Sequence, residues 1–318
     1  MKRKEEFIFK IVGALSTAII SSLFIWAVFA FYQLTSLRFF DPGYLGPYWG
    51  GWGIQPPLEL IAGISIPSAI IIFILFFRTE MGKPAGGKIN ISDVFDRHKE
   101  VFKAIRGGRY SLKKVILLLL VISISTSLFG GIAQITGLLL AQSKYGYLDA
   151  YTIIRESVGG CSIPDLIPTL IIGFFLLIVI SIVLGFAYLF TLAFFFYWFS
   201  RLVGARIPYL HLYSLLIYLS VIPLAFLIIS TIVNLVSYLA LENISTLNMF
   251  IFPNLGYVIF YIACMFGIKD ISDISLKRSF LVTSPFLILI FVIIYLTCFF
   301  TYELPQRIVE ITFYQLGL

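Results

Sequence analysis

The chain has 318 residues, of which 60% are hydrophobic and only 12% are charged, and its mean hydropathy is +1.00. Soluble domains average about 45–50% apolar and about 25% charged residues. So few charges cannot cover the surface of a water-soluble fold of this size. The composition therefore excludes a cytosolic globular enzyme, a disordered chain and a free nucleic-acid-binding domain, and it predicts a protein that crosses a membrane several times.

Seven continuous apolar runs follow one another along the chain, each close to or above the roughly 20 helical residues that cross a bilayer. Because the runs are continuous rather than alternating, they predict helices and not the strands of a barrel. The predicted fold class is all-α, a polytopic bundle of seven transmembrane helices. The runs are residues 11–34, 58–77, 115–141, 166–200, 209–240, 250–268 and 280–302.

Lys and Arg residues decide the predicted orientation, because short cytosolic loops carry them in excess. With the N-terminus inside, nineteen of them lie on the inner segments and four on the outer segments. Ten of the nineteen lie between residues 78 and 114. The sequence therefore predicts that the N-terminus is inside and the C-terminus outside.

A predicted amphipathic helix covers residues 92–106, after the second run. Its apolar residues recur at helical spacing, Ser92 suits its N-cap, and Lys103 and Arg106 suit the negative end of its dipole. Two placements fit this pattern: along the membrane surface, or packed under the bundle without lipid. The candidate membrane-surface residues are Val94, Phe95, Val101, Phe102, Ile105, Lys103 and Arg106.

Polar residues and a proline inside the runs mark a candidate polar interior and a candidate hinge. Gln134 and Asn234 either hydrogen-bond across helices or line a polar pocket. Pro223 predicts a bend, because it leaves the carbonyl of Leu219 without its helical partner. Small residues that predict close helix packing recur every four positions, among them Ser123 and Ser127, and Ser181 and Gly185.

Patterns of catalytic and ligand-binding chemistry are missing from the sequence. It has no GxSxG, HExxH or GxGD motif and no P-loop, and its three cysteines lack metal-site spacing. We therefore expect no catalytic residue, no cofactor or metal, and neither a nucleotide nor a nucleic acid as partner. The sequon at Asn243 falls on a predicted outer loop and is a candidate glycosylation site.

A longer order of features resembles a known family. The amphipathic helix at 94–105 precedes five runs, a short basic turn at 199–204 leads into a Tyr- and Ser-rich helix that reaches Pro223, and 255–272 carries a Gly-Ile-Lys turn before the last run. This order resembles the Yip family of five-span membrane proteins, named for interacting with Ypt/Rab GTPases, over about residues 92–302. The resemblance implies membrane trafficking, membrane shaping or scaffolding. The runs 11–34 and 58–77 take the place of the long cytosolic arm that trafficking members have. This difference argues against expecting GTPase binding in this chain.

These patterns predict four regions and a function. We expect a two-span segment at 1–80, a cytosolic linker at 81–110, a five-span Yip-like domain at 111–302 and an outer tail at 303–318. The predicted function is non-enzymatic: organising membranes or scaffolding partners, with the lipid bilayer and other membrane proteins or a second copy as partners. The alternative is a channel or permease subunit of a transport or secretion complex, with a path lined by Gln134, Thr136, Asn234 and Ser237.

Overall fold

The computed structural model describes residues 3–40, 58–87, 89–145, 163–241 and 246–286. Every regular element in these residues is a helix, which confirms the all-α class. The helices are α1 (Arg3–Phe40), α2 (Leu58–Phe77), α3 (Asp93–Asp96), α4 (His98–Arg106), α5 (Leu112–Tyr145), α6 (Ile163–Leu202), α7 (Tyr209–Leu219), α8 (Val221–Leu241), α9 (Thr246–Ser272) and α10 (276–286).

Four stretches of the described residues are helical, long and apolar enough to cross a membrane. They lie in α5, in α6, across α7 and α8, and in α9; α2 adds a shorter apolar stretch, Ala62–Phe77. A multi-span helical bundle is thus confirmed. The seventh predicted run, 280–302, is described only as far as Phe286, within α10. The four stretches are Leu112–Ile132, Ile178–Leu202, Tyr209–Val236 and Asn254–Ser272.

The short helix α7 forms the centre of the bundle, and all eleven of its residues are buried. Helices α4, α5, α6 and α9 pack around it. The rings of Phe9 in α1 and Phe76 in α2 lie 6.3 and 5.1 Å from the ring of Tyr209 between centroids. α7 therefore has protein, rather than lipid, as its neighbour along its whole length.

The predicted run 209–240 is not one helix but two, because α7 and α8 meet at Ser220, three residues before Pro223. A proline has no N–H to bond the carbonyl four residues earlier. A Cβ atom on Gly256 of α9 would lie 3.1 Å from Cα of Pro223. The helix is thus interrupted where the sequence predicts a bend, and α9 packs closely against it.

The close packing predicted for small residues is confirmed between α5 and α6. A Cβ atom on Gly185 would lie 2.9 Å from Oγ of Ser123. Ser123 and Ser127 are buried, and the Ser127 hydroxyl donates to the carbonyl of Ser123 at 2.9 Å. The side chain of Ser181 lies outside the described residues.

The two N-terminal helices share the core of the remaining helices. α1 packs on α2 and on α6, and Gly13 lies so close to the ring of Phe76 that a Cβ atom there would overlap it. Phe76 stacks on Phe194 at 5.4 Å, and Phe9 lies 4.9 Å from Phe190. A continuous aromatic cluster therefore joins α1 and α2 to α6 and α7.

Residues 78–87, which follow α2 and which we call the linker, cross the end of the bundle where α2, α6 and α9 finish and α5 and α7 start. We call this the linker end. Hydrogen bonds tie the linker to α7, and Arg106 pairs with Asp273 after α9. The described Lys and Arg residues of segments 78–114, 201–206 and 269–278 therefore gather at one end of the molecule.

Candidate functional site

The first turn of α7 takes its hydrogen-bond acceptors from the linker. Pro208 precedes the helix in an extended conformation and supplies no side-chain cap. The N–H of Tyr209 donates to the carbonyl of Glu80 at 2.8 Å, and the N–H of Leu210 to that of Met81 at 3.0 Å. The first N–H groups of a helix have no partner within it. These bonds therefore supply acceptors to two such groups of α7, and they also hold the linker in place.

The side chain of Glu80 bonds the linker to the end of α6. Its carboxylate lies 2.8 Å from the guanidinium of Arg201, which is also 5.2 Å from the ring centre of Tyr197. The N–H of Glu80 donates to the hydroxyl of Tyr197 at 2.9 Å. We call Glu80, Met81, Tyr197, Arg201 and Tyr209 the clasp. The ion pair between Glu80 and Arg201 and the main-chain N–H groups of Glu80, Tyr209 and Leu210 thus lie together at the linker end.

Two glycines let the linker lie close to its neighbours beside the clasp. Gly82 has φ +78°, a conformation that costs a side chain strain, and a Cβ atom there would lie 2.6 Å from Cβ of Pro208. Gly87 lies against the carbonyl of Arg109, and Ala85 donates its N–H to the carbonyl of Gly108 at 2.7 Å. The linker therefore lies flat on the segment that enters α5.

His211 lies beneath this flat stretch and not at an exposed interface. Its ring is 5.6 Å from that of Tyr110, and its Nε2 is 3.7 Å from the positions that Cβ atoms on Gly82 and Gly108 would take. Within the described residues Nε2 has no hydrogen-bond partner. Burial raises the pKa of Tyr110 above its ordinary value.

The predicted amphipathic helix is broken, and most of its apolar side packs on the bundle. Arg97 (φ −133°, ψ 40°) separates α3 from α4, so the prediction of one continuous helix is wrong. Ser92 gives no side-chain cap; instead the N–H of Asn90 donates to the carboxylate of Asp93 at 3.2 Å. Of the apolar candidates, Phe95 is exposed, whereas the others are buried: Val94, Val101, Phe102 and Ile105.

Contacts with α9 and α7 explain this burial. A Cβ atom on Gly267 of α9 would lie 2.8 Å from Leu215 of α7 and 3.3 Å from the ring of Phe102. Helices α7 and α9 therefore use most of this apolar face for packing, and Phe95 is the exposed member of the apolar candidates. The choice between the membrane surface and a position under the bundle stays a prediction.

The two cationic candidates of this segment have different surroundings. Lys103 is exposed. Arg106 donates to the carboxylate of Asp273 at 3.1 Å, and both side chains are at least half exposed. Asp273 has φ +60°, a left-handed conformation that Asp tolerates better than most residues. The pair joins the end of α4 to the turn that closes α9.

Of the two residues of the candidate polar interior, Asn234 is the one whose side chain the structure describes. This residue is buried, its amide nitrogen donates to the hydroxyl of Ser230 at 3.4 Å, and its Oδ1 has no partner among the described residues. The neighbouring Thr231 donates to its own helix at Leu227 (2.8 Å) and to Phe129 of α5 (3.4 Å). The side chains of Gln134, Thr136 and Ser237, and the whole of Asn243, lie outside the described residues.

The family model of the Yip1 domain matches residues 92–297, which is more than half of the chain. The chain belongs to the Yip1 family. Its long apolar helices and this domain make it a multi-pass integral membrane protein, embedded in a lipid bilayer. Proteins with a Yip1 domain are generally non-enzymatic membrane proteins. No curated protein and no solved structure matches the chain.

The clasp crosses the boundary of the Yip1 domain. Glu80 and Met81 precede the matched residues, whereas Tyr197, Arg201 and Tyr209 lie within them. In the described part of the chain, no group of three or more His, Cys, Asp and Glu side chains is arranged to hold a metal ion. The linker end of this Yip1 protein is thus a site of main-chain and ion-pair contacts.

Sequence reasoning missed the clasp, although a weak signal was present. Glu80 is an acidic residue next to a predicted span in a segment otherwise rich in Lys, and Arg201 follows another span. Charges at span ends are ordinarily read as topology signals. Glu80 and Tyr197 are 117 positions apart, so only the folded Yip1 domain brings them together.

Proposed function

We propose that this protein is a non-enzymatic Yip1-domain protein that organises membranes or scaffolds partner proteins. The main support for this proposal is the position of α7. All residues of this helix are buried, and it lies at the centre of the domain. Buried hydroxyls of the bundle donate to carbonyls of their own helices, as packed groups do, at Ser127, Thr191, Ser220, Thr231 and Thr283. This packing supports a solid body that acts through its surface.

Cross-linking in cells tests the scaffold role at a matched pair of phenylalanines. Phe95 is 51% exposed and Phe102 is 2% exposed, and both belong to the same helix pair at the linker end. A photoreactive phenylalanine analogue at Phe95 should give discrete cross-linked species with membrane proteins, whereas the analogue at Phe102 should give only cross-links within the chain. Equal, unspecific products at both positions would contradict a defined partner.

We also propose that the chain crosses the membrane seven times, with its N-terminus inside and its C-terminus outside. Regions 1–80, 81–110, 111–302 and 303–318 then form two spans, a cytosolic linker, five spans of the Yip1 domain and an outer tail. The gathering of Lys and Arg at the linker end supports this orientation, because cytosolic segments carry such an excess.

Cysteine labelling checks this topology. In a variant without its native cysteines, Lys83→Cys in the linker should react with a membrane-impermeant maleimide only after the cells are opened. Lys144→Cys, near the far end of α5, should react in intact cells. The reverse pattern would overturn the proposed orientation.

The second candidate function is a channel or permease subunit. The buried Oδ1 of Asn234, which has no partner among the described residues, favours it at the candidate polar interior. If Asn234 is a packing residue, Asn234→Leu should change stability by no more than about 1 kcal/mol, or stabilise, because it removes an unpaired buried acceptor. Thermal unfolding of the purified protein measures this change, and Thr231→Val serves as a control that removes paired polar contacts.

Flux measurements then separate the two functions. Proteoliposomes with the unaltered protein should pass ions and small solutes no faster than empty vesicles, and Asn234→Leu should not alter that result. A flux that depends on Asn234 would favour the channel or permease and contradict the scaffold.

A further inference from the structure

Five exposed cations lie on three chain segments that the fold places side by side at the linker end. Hydrogen bonding of Ala85 to Gly108 and the contact of Gly87 with Arg109 join the linker to the segment that enters α5. The close approach of Gly82 to Pro208 joins the linker to the turn before α7. We call these exposed residues the cationic surface: Lys83, Arg109, Lys113, Lys114 and Arg206.

Carboxylates are missing from all three of these segments. Residues 81–87, 107–114 and 203–208 contain no Asp or Glu. Glu80, which precedes the first segment, is already paired with Arg201 at 2.8 Å. Like charges brought together in this way repel one another. The cationic surface therefore has a charge that an external anion would complement.

Two of the five cations lie at the start of a helical stretch that is long and apolar enough to cross a membrane. Lys113 and Lys114 belong to the first turn of the membrane-spanning stretch Leu112–Ile132, and both are exposed. Long cationic side chains at such a position extend to the headgroup region while their stems remain on the apolar side. The ammonium groups of Lys113 and Lys114 can therefore reach the phosphates of the adjoining leaflet.

We propose that the cationic surface binds the phosphate headgroups of anionic phospholipids in the leaflet next to the linker end. The charge of the three segments supplies the attraction, and the position of Lys113 and Lys114 selects a lipid over a soluble anion. This interaction is independent of the proposed scaffold role, because it requires only the described geometry of the linker end and an adjoining leaflet.

Native mass spectrometry of the full chain in a neutral detergent tests this proposal. With phosphatidylglycerol and phosphatidylcholine added in equal parts, the unaltered protein should retain phosphatidylglycerol preferentially. The triple variant Arg109→Gln, Lys113→Gln, Lys114→Gln should lower that retention at least about tenfold, since each Lys or Arg at an anionic surface adds to the attraction. Retention should also fall as salt is raised.

A second triple variant controls for net charge. Arg97→Gln, Lys99→Gln, Lys103→Gln removes the same charge from exposed residues that lie outside the cationic surface and outside the apolar stretches, and it should leave the retention of phosphatidylglycerol nearly unchanged. Thermal unfolding in the same detergent establishes that both variants are folded. An equal loss in both variants, or no loss in the first, would overturn the proposal. So would inorganic phosphate that displaces phosphatidylglycerol at equal concentration, because the site would then accept a soluble anion.

Discussion

Replacing Phe76 by Ala is expected to destabilise the protein by about 3–5 kcal/mol, the range for removing a buried aromatic ring. Phe76 is fully buried, stacks on Phe194 at 5.4 Å and lies 5.1 Å from Tyr209. It also packs against Gly13 of α1. The substitution would leave a cavity at the point where α1, α2, α6 and α7 meet, and the midpoint of thermal unfolding in detergent measures its cost.

Phe73 provides the matched control on the same helix. Its side chain is 38% exposed and contacts Phe77 at 5.0 Å between ring centres. Because detergent or lipid replaces much of its surroundings, Phe73→Ala should cost less than about 1 kcal/mol, well below the loss for a buried ring. Equal losses in the two variants would show that Phe76 does not join the N-terminal helices to the Yip1 domain.

Replacing Gly82 by Ala is expected to release the linker from α7. The left-handed conformation costs a side chain about 1–2 kcal/mol, and the overlap with Pro208 adds about 1–3 kcal/mol. The carbonyls of Glu80 and Met81 would move away from the N–H groups of Tyr209 and Leu210. The expected results are a loss of about 2–5 kcal/mol in stability and faster tryptic cleavage after Arg78, which is exposed and precedes Thr79.

A substitution at Gly86 distinguishes the cost of the left-handed backbone from the cost of the close contact with Pro208. It has φ +85°, similar to the +78° of Gly82, but a Cβ atom there would meet nothing within 4 Å. Gly86→Ala should therefore show only the conformational cost, about 1–2 kcal/mol, with little change in cleavage. If the two variants behave alike, the contact between Gly82 and Pro208 does not hold the linker.

These two expected results concern one structural property of this Yip1 protein. Its N-terminal helices and linker are not appended to the domain but complete its core, since Phe76 reaches Tyr209 and Glu80 reaches Arg201. A Yip1 domain separated from residues before 92 would expose the aromatic side of α7 and lose the clasp. Helices α1 and α2 and the helices of the Yip1 domain therefore form a common packed body in the described residues.

Length, hydropathy and the positions of Lys and Arg were enough to predict a membrane-spanning helical bundle, and the order of motifs along the chain carried the resemblance to the Yip family. These properties are local, because a helix satisfies its own backbone hydrogen bonds and an apolar run of sufficient length favours the bilayer. The small-residue contact between Ser123 and Gly185 was predictable for a similar reason, since close approach needs only small side chains on facing helices.

The sequence alone could not decide which apolar side chains face protein and which face lipid or solvent. Phe95 and Phe102 are equally apolar, yet one is exposed and the other packs near Gly267. Lipid tails and protein interiors have similar polarity, so hydropathy does not distinguish them. The break at Arg97 and the pairing of Glu80 with Arg201 likewise depend on segments distant in the chain. Only the tertiary structure brings those segments together, and it alone determined the clasp and the cationic surface.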